Sequence, residues 1–468
     1  MSSPLKKTAS SPTVSSPLKN THIRSTSPPS PRPAKRAKHD HLTKDDFKNG
    51  VFLAPMVRSG ALPTRLFALA HGATLVWGPE MVDKAILHAT RVVDPITGVV
   101  SFEGKSRAMF TTHPIEKPYL IYQIGSSDPA LAVQAAQMVM NDVSGIDLNC
   151  GCPKPFSTHS GMGAALLSTP DLLCDILRAL RAAMPPHITV TAKIRLLPSQ
   201  EDTLKLVEKI VNTGVSALTV HCRTREMRDR HKALIGRLRE IVDFVEGMGK
   251  GIAVVENGDC ESWEDAKRVR LATGASSVMI ARGAESNPTC FSETPLTDLE
   301  IKFLPEYIRL SQYLGNHYGL TKFCASQFKS TITPGNKEES KRLKQAMIKG
   351  KRHEEVESTF GPWTGKQVFD DIVKAIETRG DRRMILDTSV REPITTEVEL
   401  TTDAVPPSLA ASLSTNDESS DFVTPPSTQN PEPVGPGAPL LSSNVKLELD
   451  RGRWGHEPAT PTPTSATA

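Results

Sequence analysis

The chain has 468 residues, 38% of them hydrophobic, a formal net charge of +4 and seven cysteines. That length accommodates two or three domains. No run approaches the roughly 18 apolar residues of a membrane span, and the polar amino terminus lacks a secretory apolar core, which argues against membrane-spanning and secreted classes.

Residues 1–43 are rich in Ser and Pro and hold eight basic side chains against one acid. Such a segment cannot bury enough surface to offset chain entropy, so residues 1–45 are expected to be a disordered basic tail. Within it, Pro31-Arg-Pro-Ala-Lys-Arg-Ala-Lys38 fits a nuclear localisation signal and equally a solvated charge run. The cysteines (150, 152, 174, 222, 260, 290, 324) are scattered, with no disulfide framework and no C-x-x-C pair to suggest zinc. A reduced, cytoplasmic location is the expectation, extended to the nucleus if the basic run is read, and no metal is called.

From residue 51 the pattern changes to short β-branched runs alternating with amphipathic stretches. Predicted strands are Val51–Pro55, Thr74–Trp77, Tyr119–Ile124, Ile146–Asn149, Ile188–Ile194, Ala217–His221, Ile252–Glu256 and Ser277–Ala281. Helices are predicted over Asp128–Met140, Thr169–Ala183, Ser199–Val211, Leu234–Val245 and Trp263–Ala272, with Asp128, Thr169 and Ser199 as N-terminal caps. Val93–Phe102 reads as a hairpin inserted after the second strand. Eight strands, mostly followed by helices, predict a (β/α)₈ TIM barrel over residues 46–297. A doubly wound sheet is the alternative, but no G-x-G-x-x-G follows the first strand. Helical spacing over Leu299–Tyr318, Glu338–Gly350 and Thr364–Glu377 predicts a smaller helical domain at 298–392. Residues 396–468 hold ten acids against three bases, so 393–468 are expected to be a disordered acidic tail that masks a more basic remainder.

A barrel of this kind places function at the carboxyl ends of its strands. Polar residues recur there: Arg58 after Pro55-Met56-Val57, Gln123, Asn149 with Cys152, Lys193 with Arg195, His221 with Arg223, Asn257-Gly258-Asp259 and Ala281-Arg282. The loops after strands seven and eight often form a phosphate site, and here they supply glycine backbone and an arginine. Lys193 and Gln123 suit the polar edge of a flavin ring. Cys152 follows a glycine-relieved turn and is stiffened by Pro153, whereas Cys150, two residues earlier, suits a buried packing role.

Gly145–Met162 resembles the active-site signature of the tRNA-dihydrouridine synthases. Leu53–Arg58, Val190–Arg195, Val220–Arg223, Glu256–Asp259 and Val278–Arg282 resemble further motifs of that family, in family order. Ala54–Pro63 and Gly161–Ser168 are most similar to the eukaryotic branch that modifies the D-loop uridine at tRNA position 20. The resemblance implies an FMN group reduced by NADPH. It implies that Pro55, Met56, Val57, Gln123, Lys193, His221, Asn257, Gly258, Asp259, Ala281 and Arg282 hold FMN. Hydride is then delivered to uracil C6, and Cys152 donates the proton to C5. A thiol near its ordinary pKa of about 8.5 is protonated at neutral pH and can serve as that acid. For tRNA, the candidate contacts are Arg58, Asn149, Lys154, Arg195 and Arg223, with Arg225, Arg228 and Arg230 beside them. A basic cluster in the helical region (Lys329, Lys337, Lys341, Arg342, Lys344, Lys349, Lys351, Arg352) is a further RNA surface. The expected partner is tRNA, without membrane or metal, and the expected state is a monomer. Cys222 departs from the branch, which commonly has Gly there. Two competing readings remain: a catalytically silent tRNA-binding protein, and a flavin oxidoreductase of small pyrimidines.

Overall fold

The structure is a computed structural model that describes residues 41–105, 107–360 and 364–388. Both expected tails, with the basic run at residues 31–38, lie outside the described residues. Eight parallel strands form a closed barrel: β1 Val51–Leu53, β2 Leu75–Trp77, β3 Leu120–Gly125, β4 Gly145–Cys150, β5 Thr189–Leu196, β6 Ala217–Thr224, β7 Ala253–Asn257 and β8 Ser277–Ile280. Each pairs with its neighbours in order. Closure comes from β1 against β8 (Leu53 opposite Ile280) and β2 against β3 (Val76 opposite Leu120). This is a TIM barrel, and all eight strands fall where the β-branched runs predict them.

Alternation along the strands sets what each residue faces. One parity points outward: Leu53, Val76, Ile124, Leu148, Ile194, Val220 and Val278 pack in the layer beneath the helices. The other points inward. At the amino-terminal end that interior is apolar, with Phe52, Leu75, Trp77, Ile121, Ala217, Ala253, Val255 and Met279 closed off below by Leu42 and Phe47. Toward the carboxyl end the same inward parity turns polar, to Gln123, Asp147, Asn149, Thr191, Lys193, Arg195, His221, Arg223 and Asn257. Plug and mouth are therefore two ends of one set of inward positions.

The helices follow their caps. Asp128 accepts hydrogen bonds from Ala130 N and Leu131 N at the start of Pro129–Val139. Ser199 accepts one from Asp202 N at the start of Gln200–Val211. Thr169 does not cap: its hydroxyl turns back to the Leu166 carbonyl, and Pro170 alone opens the helix. The insertion after β2 is larger than a hairpin. It is a three-stranded antiparallel sheet of Thr90–Val93, Val100–Glu103 and Ala108–Thr112.

Beyond the barrel, the predicted helix Leu299–Tyr318 is broken into Leu299–Lys302 and Leu304–Tyr313, because Pro305 opens a new helix and Gly315 (φ 66°) ends it. Helices Tyr318–Gln327, Lys337–Lys349, His353–Phe360 and Gly365–Glu377 follow. They dock through aromatics. Phe303 meets Phe67 of the barrel helix Leu62–Ala70 with ring centroids 4.6 Å apart, and Tyr307 OH lies 2.9 Å from Thr64 Oγ1. All described residues belong to one compact unit. Among them, no helix is long and apolar enough to cross a membrane, and no group of three His, Cys, Asp or Glu is placed to hold a metal ion.

Candidate active site

The turn after β4 is built by Asn149. Its side-chain oxygen accepts hydrogen bonds from Gly151 N (2.9 Å) and Cys152 N (3.0 Å), bending the chain so that residue 152 faces the mouth. Arg195 reinforces the bend by donating from Nε to the Gly151 carbonyl at 2.8 Å. Gly163 (φ 59°) packs against the far side, where an added Cβ would stand 2.7 Å from the Cys152 carbonyl oxygen. Cys152 is half-buried, while Cys150 is fully buried on the outward parity. The two sulfurs thus separate as alternation requires.

Burial, then the neighbouring Glu80 carboxyl, raises the Cys152 thiol above its ordinary pKa. At neutral pH the group is a thiol, not a thiolate. Glu80 itself is raised by burial and takes hydrogen bonds from the side chains of Cys152, Ser157 and Asn149. Glu80 and Ser157 were not among the residues picked out from sequence. The signal was present, since Gly78-Pro79-Glu80 is the polar punctuation at the end of β2, but it sat at the edge of the long insertion.

Gln123 is fixed in one orientation. Its Nε2 donates to Asp147 Oδ2 at 2.8 Å, and its Oε1 accepts from Asn149 Nδ2 at 3.2 Å. Asp147 also accepts from Thr191 Oγ1 at 2.6 Å, and burial raises its pKa to about 6. Lys193 stands beside this network on the register position opposite Asn149. Burial, then Arg195, lowers its pKa to about 8. Among the described residues, its ammonium has no hydrogen-bond or ion-pair partner. A cation left without a partner in the barrel interior is a reserved contact.

Across the mouth, a cavity of about 150 Å³ is lined by Arg195, His221, Arg223, Asn257, Gly258, Asp259, Ala281 and Arg282, with Asp229 and Cys260 completing it. Gly258 (φ 148°) and Asp259 (φ 56°) wind the backbone through conformations that expose successive N–H groups. Gly283 is required here: a Cβ on it would lie 2.0 Å from the Glu261 carbonyl oxygen, so only glycine lets the loops after β7 and β8 close together. Asp259 bridges the guanidinium groups of Arg223 and Arg282. His221 is held neutral, its pKa pushed well down by burial and then by Lys193 and three arginines, and its Nε2 accepts from Arg223 at 3.3 Å.

The predicted residues do not all have the same surroundings. Pro55 and Met56 are half-buried at the end of β1, and Val57 is exposed. Arg58 is exposed and stacks its guanidinium 3.6 Å from the Phe323 ring centroid. Lys154 is exposed. Arg195 and Arg223 are not solvated loop cations: both are buried and engaged with backbone carbonyls, Arg195 with Thr224 O and Arg223 with His231 O. Cys222 faces outward and buried, its thiol donating to Val220 O at 3.6 Å, so this departure puts its side chain behind the mouth rather than in it.

Comparison with known proteins gives the family. The sequence model of the dihydrouridine synthase family, Dus, matches residues 52–360. The tRNA-dihydrouridine(20) synthase [NAD(P)+] of Schizosaccharomyces pombe is 47% identical over 290 residues, 60% of this chain and 60% of the relative. The enzyme of the same name from Saccharomyces cerevisiae is 42% identical over 62% of this chain and 78% of its own length. The human tRNA-dihydrouridine(20a/20b) synthase [NAD(P)+]-like protein is 33% identical over 57% of this chain and 77% of its own. The matched stretch therefore spans less than two thirds of the fission-yeast relative.

Proposed function

The chain belongs to the dihydrouridine synthase family, and from that premise we propose that it reduces the C5=C6 bond of a D-loop uridine in tRNA, at position 20. The observation that carries this reading is Cys152, held as a protonated thiol at the same mouth as the partnerless Lys193 ammonium. Higher identity to the two position-20 enzymes than to the 20a/20b relative supports the position.

FMN is the prosthetic group that fits the residues present. The Gly258–Asp259 turn and Arg282 suit its phosphate; Lys193 and Gln123 suit the polar edge of its ring; the Pro55–Val57 backbone and His221 would help to hold it. When bound and reduced by NADPH, it supplies the hydride for uracil C6. The chain's residues do the rest. Lys193 offsets negative charge that builds at the ring. Asp147 keeps the Gln123 amide turned one way. Cys152 gives its proton to C5 on the opposite face of the base. A neutral His221 and the buried Arg195 offer donors to an extruded base, whose unstacking costs about a few kcal/mol and is offset by backbone contacts elsewhere.

The test is Cys152→Ala. Purified protein should keep its flavin and its reduction by NADPH, while dihydrouridine formation in tRNA falls at least about a hundredfold. Wild-type turnover by this variant would remove Cys152 from its role. Activity on free uracil without tRNA would instead favour a small-molecule reductase.

A further inference from the structure

Glu80 is the acidic group closest to the reacting thiol, and the reading above gives it no task. It is 8% exposed, between the fully buried Ser157 and the mouth. Its position is built in. Met81–Val82 add a short parallel strand onto Ile124–Gly125, which aims the residue before them at the turn after β4. Gly125 makes room: a Cβ there would lie 2.7 Å from Glu80 Oε1. Ser157 Oγ donates to the same oxygen at 3.4 Å, and Cys152 and Asn149 turn their side chains to this carboxyl.

We propose that Glu80 is a positioning and proton-return residue: it holds the Cys152 thiol in place and its hydrogen on sulfur until the base arrives, and restores the proton to sulfur after each turnover. This deepens the assignment of Cys152 and rests on it. In the donating step the S–H bond breaks, a C5–H bond forms from the enolate electron pair, and sulfur keeps the S–H pair as thiolate. Two anions cannot share this pocket cheaply, so the new thiolate raises the proton affinity of Glu80. Its carboxyl takes from bulk solvent the one net proton that reduction by NADPH consumes and passes it to sulfur, leaving carboxylate and thiol as at the start. No oxidant or further reactant is needed.

Charges facing Cys152 from the other packed elements act the opposite way. Lys193 and Arg195 of β5 favour the thiolate, as does the Lys154 backbone N–H. Asp83, three residues beyond Glu80, is turned to Ser126 Oγ at 2.6 Å. The Ser157 hydroxyl also favours the thiolate, so burial, and after it Glu80, keep hydrogen on the sulfur against these opposing groups.

The experiment is peptide-resolved alkylation of Cys152 by iodoacetamide across pH 6 to 10, on flavin-loaded protein. Glu80→Gln should lower the apparent thiol pKa by about one unit, making alkylation near pH 7.5 about tenfold faster. The same variant should retain flavin and NADPH oxidation but slow tRNA turnover, and formate should restore part of the rate in Glu80→Ala. Glu80→Asp, which withdraws the carboxyl by one methylene, should fall between wild type and Gln and serves if Gln fails to hold flavin. An alkylation profile unchanged by Gln and Asp overturns the proposal. A Cys152→Ala protein that still makes dihydrouridine would instead sink the proton-donor reading, and the alkylation result would stand apart from it.

Discussion

The two arcs of the barrel mouth are chemically unlike. The arc after β2, β3 and β4 presents Glu80, Gln123, Asn149, Cys152 and Ser157: a carboxyl, a thiol, amides and a hydroxyl, without a buried cation of its own. Burial there pushes Glu80 and Cys152 toward their protonated forms. The arc after β5 to β8 presents Lys193, Arg195, His221, Arg223 and Arg282, with Asp259 bridging the last two. Burial, and after it the crowded cations, hold His221 neutral and lower the pKa of Lys193. One side of the mouth thus stores a proton, and the other waits for negative charge. On the function proposed above, a base lying between them would meet the two requirements of its reduction from opposite directions.

Two glycines test whether the arcs are separable. Gly283→Ala puts a methyl 2.0 Å from a backbone oxygen of the facing loop, which cannot yield as a flexible side chain would. Overpacking of this sort costs about 1–3 kcal/mol. Flavin retained through purification should drop about tenfold or more, measured by absorbance and protein ratio. Gly163→Ala strikes the other arc: φ is 59°, and the new Cβ would sit 3.0 Å from Cys152 Cβ. Left-handed backbone alone costs a non-glycine residue about 1–2 kcal/mol. Here flavin should be retained while tRNA turnover falls about tenfold. If each substitution impaired both properties equally, the division into arcs would be wrong.

The contrast between the two strand parities explains what was legible in advance. Short β-branched runs mark buried parallel strands whatever surrounds them, so all eight were readable. Residues at their carboxyl ends, such as Gln123, Lys193 and Asn257, could be picked out because a polar side chain there breaks an apolar run. Glu80 was lost because it follows β2 at the edge of the long connection from residue 78 to 119, where no run remains to be broken. That Arg195 and Arg223 point inward was implicit in alternation with Lys193 and His221, yet their partners come mainly from loops: Arg195 holds carbonyls of the loop after β4 and the end of β6, and Arg223 a carbonyl of its own following loop and the Asp259 carboxylate. The break at Pro305 was a local signal overridden in the reading by helical spacing on both sides.

Glu256 sharpens the same contrast one residue from the site. Asn257 turns inward to the mouth, donating to Met279 O at 2.8 Å. Glu256 turns outward and is fully buried, and neither carboxyl oxygen has a hydrogen-bond partner. Burial, then Asp259, raises its pKa well above the ordinary value. A raised acid binds a proton in the folded state that the unfolded chain has released. Stability is therefore present below the unfolded pKa of about 4.3 and declines as pH rises toward the folded value. Glu256→Gln should remove that decline. Between pH 5 and 8, the urea midpoint should fall less for the variant than for wild type, with a gain at pH 8 on the order of 1–3 kcal/mol. Equal pH slopes would mean that the carboxyl finds a partner in solution.

The smallest effect concerns cations outside the mouth. Arg195 and Arg223 are committed to internal carbonyls, so little of the affinity for a polyanion can come from them. In the helical region, Arg342 and Arg352 pair with Glu339 and Glu355, and Lys344 with Glu300. Lys329, Lys337, Lys341, Lys349 and Lys351 are exposed and, among the described residues, carry no such partner. These lysines are the ones expected to displace counterions from tRNA. Replacing Lys337, Lys341 and Lys349 by Ala should lower the slope of log affinity against log salt by about one per lysine that truly contacts phosphate, with flavin content unchanged. Arg223→Ala should do the reverse, disturbing the Asp259 bridge and flavin binding while leaving the salt slope nearly alone. A slope that responds to Arg223 and ignores the lysines would relocate the RNA surface from the helices to the barrel mouth.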